Sequence, residues 1–486
     1  MGLKCKVLLG LSSALWAVNI WAQIWGPVVQ ISTAPNGRSL LSNARCITTD
    51  DYGRVYVVWA FWSPNVSDRG IYFRRSTDTG LTWDPERKLT DYTPLARMPA
   101  VDADGFGGVN IVWSDQRDST DQIYFKRSTD SGATWGPDTR LTFYRYSGKG
   151  YPTLVTDQRN WVQLVWIDNR LGPSEEIFYK RSTDGGSTWT SDTALTLPPH
   201  YVISLSIGAD GYGGVHLVWD GRPGGSSDSS RVFYRRSTDS GVTWDTVRQL
   251  NTSLFQAHYP SVSADSQGFV YCAWADKRSG GSQIYFRRST DSGSTWDSEI
   301  TLAATPGYLF GGPSVTTGPG GNVGVGYSWL AYSPLRNGIA YRHSTDRGMT
   351  WSPEERVSDT INHWGGSFST AMDHFGRVHV AWSDSTDSLR YWAVYYRRRD
   401  AGVGVETNPP SSLPPYASRL TVSPNPFTSF ATLPGHEAER FSLYDITGRK
   451  VGTFRGDRVG EGLAPGVYFL RSSDSQDKPL RIVKVR

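Results

Sequence analysis

Little in this sequence invites redox or metal chemistry. There are three cysteines in the whole chain, Cys5, Cys46 and Cys272, and none has the neighbouring Cys or His residues that a zinc site needs. Cys46 and Cys272 fall in expected strands of different repeat units. Two buried thiols are therefore expected, although one pair could bridge in an oxidising compartment. Methionine is scarce as well, at 4 residues. Past the N-terminus no stretch approaches about 18 apolar residues in a row, so no transmembrane helix is expected there. The net charge is only +4, which gives no reason to expect nucleic acid or an anionic membrane as a partner. No metal and no cofactor are expected.

What is abundant points one way. Glycine reaches 51 residues and aromatics 13%, with 20 Trp, the composition of a turn-rich β protein. At the N-terminus Lys4 and Lys6 precede a largely apolar run from Val7 to Trp21. This reads as an export signal over residues 1–22, with Ala22 the last residue before cleavage.

The string Ser-Thr-Asp-x-Gly-x-Thr-Trp occurs six times, with its aspartates at Asp78, Asp130, Asp184, Asp239, Asp291 and Asp346. Each copy follows a run such as Ile123–Arg127, itself preceded by a β-branched run ending in Trp. That Trp recurs seven times, at 59, 113, 166, 219, 274, 329 and 382. With a short apolar segment before the Trp run and a short strand after the motif, each unit holds four strands, the make-up of a propeller blade. Seven third strands but only six following fourth strands leave one place unfilled. Val28–Ser32 matches the fourth-strand pattern, so residues 25–400 are expected to form a seven-bladed all-β propeller closed by the N-terminal strand, with six blades the alternative. Residues 401–418 are rich in Pro, Gly and Ser and read as a linker. Residues 419–486 read as a small C-terminal β-sandwich.

The six-fold string resembles the Asp-box, or bacterial neuraminidase repeat, of sialidases and other β-propellers, over about Trp25 to Asp400. In that family the boxes lie on the face away from the active site, which implies that the six aspartates are structural. The ordered segments Leu420–Phe427, Phe441–Val451, Leu463–Arg471 and Leu480–Arg486 resemble the C-terminal sorting domain of type IX secretion substrates. That resemblance implies a two-membrane bacterium, passage through the type IX machinery, and a secreted or cell-surface protein.

Function is expected where the units differ. The loops entering each unit are aromatic, and Tyr144, Tyr151, Tyr201, His258, Tyr259, Tyr308 and Trp364 are candidate ligand-binding residues. Aromatic faces that stack on sugar rings suit a glycan. Trp-x-Asp-x-Arg recurs at Trp113–Arg117, Trp166–Arg170 and Trp274–Arg278, shortened to Trp219–Arg222 in one unit. Arg117 and Arg170 join the ligand-binding candidates, though repetition around a ring favours a structural role. Arg97-Met-Pro-Ala100 resembles the Arg-Ile-Pro motif of sialidases, with Met98 in place of Ile. By that resemblance Arg97 clamps a substrate carboxylate and the acid comes from the Asp115–Asp121 loop, as Asp115 or Asp118. A second and third Arg and a Tyr–Glu pair cannot be singled out, and sialidases have six blades. The expected function is thus a monomeric binding module for a glycan or surface protein; the alternative is an exo-acting glycoside hydrolase of sialidase type.

Overall fold

A computed structural model describes residues 25–400, apart from short loop segments at 34–36, 43–44, 92–94, 106, 145–149, 158, 173, 198–199, 224–229, 279–280, 305–307, 333–334, 362–366 and 386–390. Beyond these it describes residues 429–430, 432, 440–445, 449–472 and 480–484. The expected export signal and linker lie outside the described residues. The chain divides into two compact units, Met1–Gly402 and Val403–Arg486.

Among its described residues the first unit is all β apart from two short 3-10 turns. Five four-stranded antiparallel sheets follow one another, named here by the tryptophan at the centre of each. The Trp113 sheet contains Ala96–Ala103, Val109–Asp115, Gln122–Ser128 and Thr139–Arg140 in that spatial order. The Trp166, Trp219, Trp274 and Trp329 sheets repeat the pattern, starting at Gly150–Thr156, His200–Ala209, Ala257–Ala264 and Tyr308–Thr317. Two further meanders share a nine-stranded sheet. One runs Ile47–Thr49, Val55–Trp62, Gly70–Ser76 and Arg87–Lys88; the other runs Phe368–Met372, Val378–Ser385 and Trp392–Arg399, with Val29–Gln30 on its edge. Val29 there pairs with Tyr396. Arg38–Leu40, a strand the repeat does not announce, joins the two meanders. It pairs antiparallel with Ala60–Trp62 and meets Trp392 in parallel. Among the described residues no sheet closes on itself.

The second strand of each unit is largely buried on both faces because sheets pack face to face on either side of it. Val109–Asp115 and Val162–Asp168 are buried at every position. The cores therefore lie between sheets: Tyr56, Val58 and Phe73 of one sheet enclose Ile111 and Trp113 of the next. Cys46 and Cys272 sit in these cores as free, buried thiols, and burial pushes the Cys46 thiol up to about 11.

Innermost strands pack in sequence: Ile47–Thr49 on Ala96–Ala103, then on through each sheet to Phe368–Met372, which returns to Ile47–Thr49. An innermost strand has one unpaired edge, whose N–H groups need acceptors. Serines from the preceding sheet supply several. Ser206 Oγ accepts from the Val262 N–H, Ser261 from Val315, Ser314 from Thr370 and Ser369 from Cys46, at 3.2, 3.0, 3.1 and 3.3 Å.

The second unit contains one four-stranded antiparallel sheet, ordered Lys450–Arg455, Arg440–Tyr444, Gly466–Ser472, Leu480–Lys484. A small core of Phe441, Leu443, Val459, Tyr468 and Leu470 packs beside it. The sandwich expected there has one layer among the described residues.

Candidate functional site

At the entry to three sheets the chain reads x-Pro with x in the left-handed region: Met98 (φ 53°), Tyr151 (φ 46°) and Tyr259 (φ 55°). Proline bars the preceding residue from the right-handed helical region. The left-handed alternative costs a β-carbon residue about 1 kcal/mol, and strained backbone of this kind clusters at ligand sites. Pairing with the second strand shifts at each of these points, between Arg97 and Ala100, Gly150 and Thr153, and His258 and Ser261. The bulge turns the side chain out of the ladder, so Tyr151 and Tyr259 are exposed. Tyr259 overlooks a cavity of about 450 Å³ whose wall includes Ser204, Ser261, Ser314, Ser328, Thr370 and Arg45.

The proposed catalytic residues lie apart from that cavity. Asp115 is fully buried. It accepts hydrogen bonds from Trp113 Nε1 (2.9 Å) and the Arg117 N–H (2.9 Å), and pairs with Arg117 Nη2 at 2.7 Å. Arg117 lies over the Tyr124 ring at 4.4 Å and reaches Asp138 on the fourth-strand side at 2.8 Å. Burial alone would lower the pKa of Arg117; the Asp115 and Asp138 carboxylates outweigh it and raise it. The same clamp recurs as Asp168–Arg170–Asp192, where Arg170 also carries Tyr144 at 3.5 Å, and as Asp276–Arg278–Glu299. Trp-x-Asp-x-Arg is therefore a within-sheet clamp: the Arg covers a third-strand aromatic and ties the second strand to the fourth.

Asp118 accepts from Tyr124 Oη at 2.5 Å and pairs with Arg140 at 3.2 Å. Arg97 pairs with Asp121 at 2.6 Å, not with Asp115 or Asp118. A Tyr–Glu pair does form, Tyr327 Oη to Glu354 at 2.8 Å, but Tyr327 is wholly buried between sheets.

On the aromatic rim, Tyr201 is half-buried and pairs through its backbone with Arg222. Tyr308 begins its strand opposite Ala331. Trp364 lies outside the described residues. His258 is held through Nδ1, 3.0 Å from Asp220 Oδ2 and 3.3 Å from Ser230 Oγ. Asp220 is buried and also accepts from the Ser204 N–H (2.9 Å) and Ser204 Oγ (2.5 Å). Sequence reasoning missed this Ser204–Asp220–His258 chain. Its signal was the shortened motif, in which Asp220 directly follows Trp219 and so projects from the opposite face of the strand.

The six repeated aspartates hold their own turns. Asp130 accepts from Ser128 Oγ, the Thr134 N–H and Thr134 Oγ1 at 2.8, 2.7 and 2.6 Å. Equivalent bonds occur at Asp78, Asp184, Asp239, Asp291 and Asp346. The motif tryptophan meanwhile reaches back to the preceding sheet. Trp135 packs edge-on against Phe73 at 5.0 Å, Trp189 against Phe125 at 5.2 Å and Trp296 against Tyr234 at 5.0 Å.

These turns and sheets define an Asp-box protein, and comparison with known families agrees. The BNR repeat-like domain family matches residues 17–272, and the chain belongs to that family. A sialidase of Bacteroides fragilis is 25% identical over 313 residues, 56% of this chain and 56% of that protein. A xyloglucanase of Acetivibrio thermocellus is 27% identical over 238 residues, 42% of this chain and 27% of that protein. The chain thus spans at most about half the length of these curated relatives. A protein of unknown function from Dyadobacter fermentans has a structure matching 76% of this chain and 97% of its own, at 13% identity and a TM-score of 0.50. The fold is sialidase-like.

Proposed function

We propose that this chain is an exported, seven-bladed β-propeller that binds carbohydrate at the rim of its central cavity. The observation that carries the reading is the pair of exposed tyrosines, Tyr151 and Tyr259, held in strained backbone at the entry to sheets that border the cavity. Flat aromatic faces stack on sugar rings and leave hydroxyls free for polar neighbours. The curated relatives, a sialidase and a xyloglucanase by name, support a sugar ligand.

The blade count rests on two features. Innermost strands pack each on the next until the last returns to the first. The edge-on tryptophan contacts run the same way: Trp83 packs on Tyr396 at 4.8 Å, and Trp25 on Tyr341 at 5.6 Å supplies the step that no Asp-box provides.

Binding rather than turnover is favoured because Asp115, Asp118 and Arg97 each have an ion-pair partner of their own. The second reading, an exo-acting hydrolase of sialidase type, is supported by Arg97 standing before a strained Met98-Pro99 bulge. Retention on a glycan array with no turnover of a fluorogenic sialoside is the expected result. Turnover abolished by Arg97→Ala and Asp115→Ala would replace the binding reading with the hydrolase. The C-terminal segments support secretion through the type IX machinery to the surface of a two-membrane bacterium.

A further inference from the structure

The Trp219 sheet breaks a pattern that its neighbours keep. In the Trp113, Trp166 and Trp274 sheets the motif Asp is bound to the motif Arg two residues later. Here the Asp directly follows its Trp, and Asp220 turns instead to the next sheet, where His258 and Tyr259 stand. Asp220 is fully buried and accepts three hydrogen bonds, two from Ser204 and one from His258.

These bonds fix where the hydrogens lie. Ser230 Oγ donates to the Ala257 carbonyl at 3.1 Å, so toward Nδ1 of His258 it can only accept. The Asp220 carboxylate likewise only accepts, and both neighbours therefore require the imidazole hydrogen on Nδ1. The neutral imidazole then presents a lone pair at Nε2, which has no partner among the described residues, on a ring that is part-exposed. That ring lies 5.8 Å from the ring of Tyr259, which overlooks the cavity. Ser204 also borders the cavity, and its hydroxyl hydrogen goes to Asp220, so it too faces a ligand as an acceptor. Donors come from elsewhere in the wall. Ser206 and Ser261 accept from backbone N–H groups, and among the described residues nothing takes their own hydroxyl hydrogens. Arg45, the charged side chain of the wall, is paired with Asp102 at 3.0 Å.

We propose that the Asp220–His258 pair makes the cavity selective for neutral, hydroxyl-rich sugars over acidic ones. A sugar hydroxyl both donates and accepts, so it can answer Nε2 and Ser204 as well as the serine donors. A carboxylate only accepts. Seated there, it would face two acceptors with no hydrogen between, and the Asp220 charge behind them. His258 is the contact and Asp220 the positioning residue that sets its tautomer. This rests on the carbohydrate reading of the cavity and adds the class of sugar to it.

The test measures binding of the full chain to galactotriose against trigalacturonate, and to cellotriose against the triglucuronate of the same linkage. Within each pair only hydroxymethyl and carboxylate differ. Wild type should hold at least one neutral trimer about 10-fold or more tighter than its acid. In Asp220→Asn the amide oxygen stays with the two Ser204 donors and the amide nitrogen faces Nδ1, so the imidazole hydrogen moves to Nε2. The neutral-over-acid ratio should then fall to about 3-fold or less. Nitrogen NMR of the imidazole should report Nδ1–H in wild type and Nε2–H in the variant. His258→Gln, whose amide can turn either way, should lower the ratio too, and keeps the test decisive where Asp220→Asn does not fold. An acid held as tightly as its neutral partner by wild type, a ratio that neither variant moves, or a wild-type ring protonated on both nitrogens overturns the inference and leaves the carbohydrate reading standing. Tyr259→Ala tests that reading separately. If it leaves neutral binding unchanged, or if the full chain retains no sugar at all, the cavity is not a sugar site and the proposal falls with it.

Discussion

Asp130 stands almost in solvent, yet its carboxyl lies at about 2, chiefly because Thr134 donates to it from both side chain and backbone. Asp184, Asp239 and Asp346 are also lowered to about 2, Asp346 by the same kind of hydrogen bonds and Asp184 and Asp239 by bonds that outweigh some burial. A folded pKa below the unfolded value of about 4 contributes stability that is complete above about pH 4 and fades toward pH 2. Asp130→Asn should therefore cost roughly 1 kcal/mol at pH 7, discounted for exposure. The gap to wild type should close as pH falls from about 4 to about 2, measured by urea unfolding followed through tryptophan fluorescence. A gap unchanged at pH 2.5 would mean that the charge plays no part. Gly293 in the Asp291 box makes a sterner demand. At φ 78° it lies where a β-carbon would come 1.8 Å from Tyr234 Oη of the preceding sheet. Gly293→Ala should cost at least about 2 kcal/mol, from backbone and clash together, in the same assay.

Among elements, the strand that matters most is one of the shortest. Val29–Gln30 pairs over two residues, but Ile31 is fully buried and its N–H donates to the Val394 carbonyl at 2.8 Å. Trp25 packs edge-on against Tyr341 and donates through Nε1 to Glu355 at 2.8 Å, where Arg399 also binds. Burial works against the Glu355 charge, but His343, Arg399 and Trp25 more than compensate and hold its carboxyl near 2. Trp25→Ala removes the packing and the hydrogen bond at once, and should lower unfolding stability by about 3 kcal/mol, measured in urea.

Period and composition made these elements legible: the repeated Trp, the Asp-box and the four-strand unit follow from residues a few positions apart. What stayed hidden was which side chains far apart in sequence meet. Asp115 and Arg117 were visible as a motif, but their third member, Asp138, lies 21 residues beyond Arg117. His258 and Tyr259 were visible as rim aromatics, but Asp220 is 38 residues before His258, on another sheet. The Ser206, Ser261, Ser314 and Ser369 hydroxyls cap edges 54 to 56 residues away or across the chain's ends, and no local pattern marks a serine for that task.

At the scale of the whole molecule the chain is two units with separate cores, Met1–Gly402 and Val403–Arg486. The edges of the first unit are satisfied from within it: its first described strand pairs with its last, and Arg399 is bound by Glu355. Every residue named in that network belongs to the first unit. Ending the chain after Gly402 should therefore leave the thermal unfolding midpoint of the first unit unchanged within a degree or two, and leave its sugar binding intact. Cellular location should respond in the opposite sense. Since residues 419–486 are proposed to carry the sorting signal, the shortened chain, expressed in a bacterium with a type IX system, should accumulate between the two membranes, while the full chain reaches the surface or medium. Fractionation with immunoblotting reads the result directly. Equal export of both chains would strip the C-terminal unit of its sorting role, whereas a fall in the unfolding midpoint would show that it supports the propeller instead.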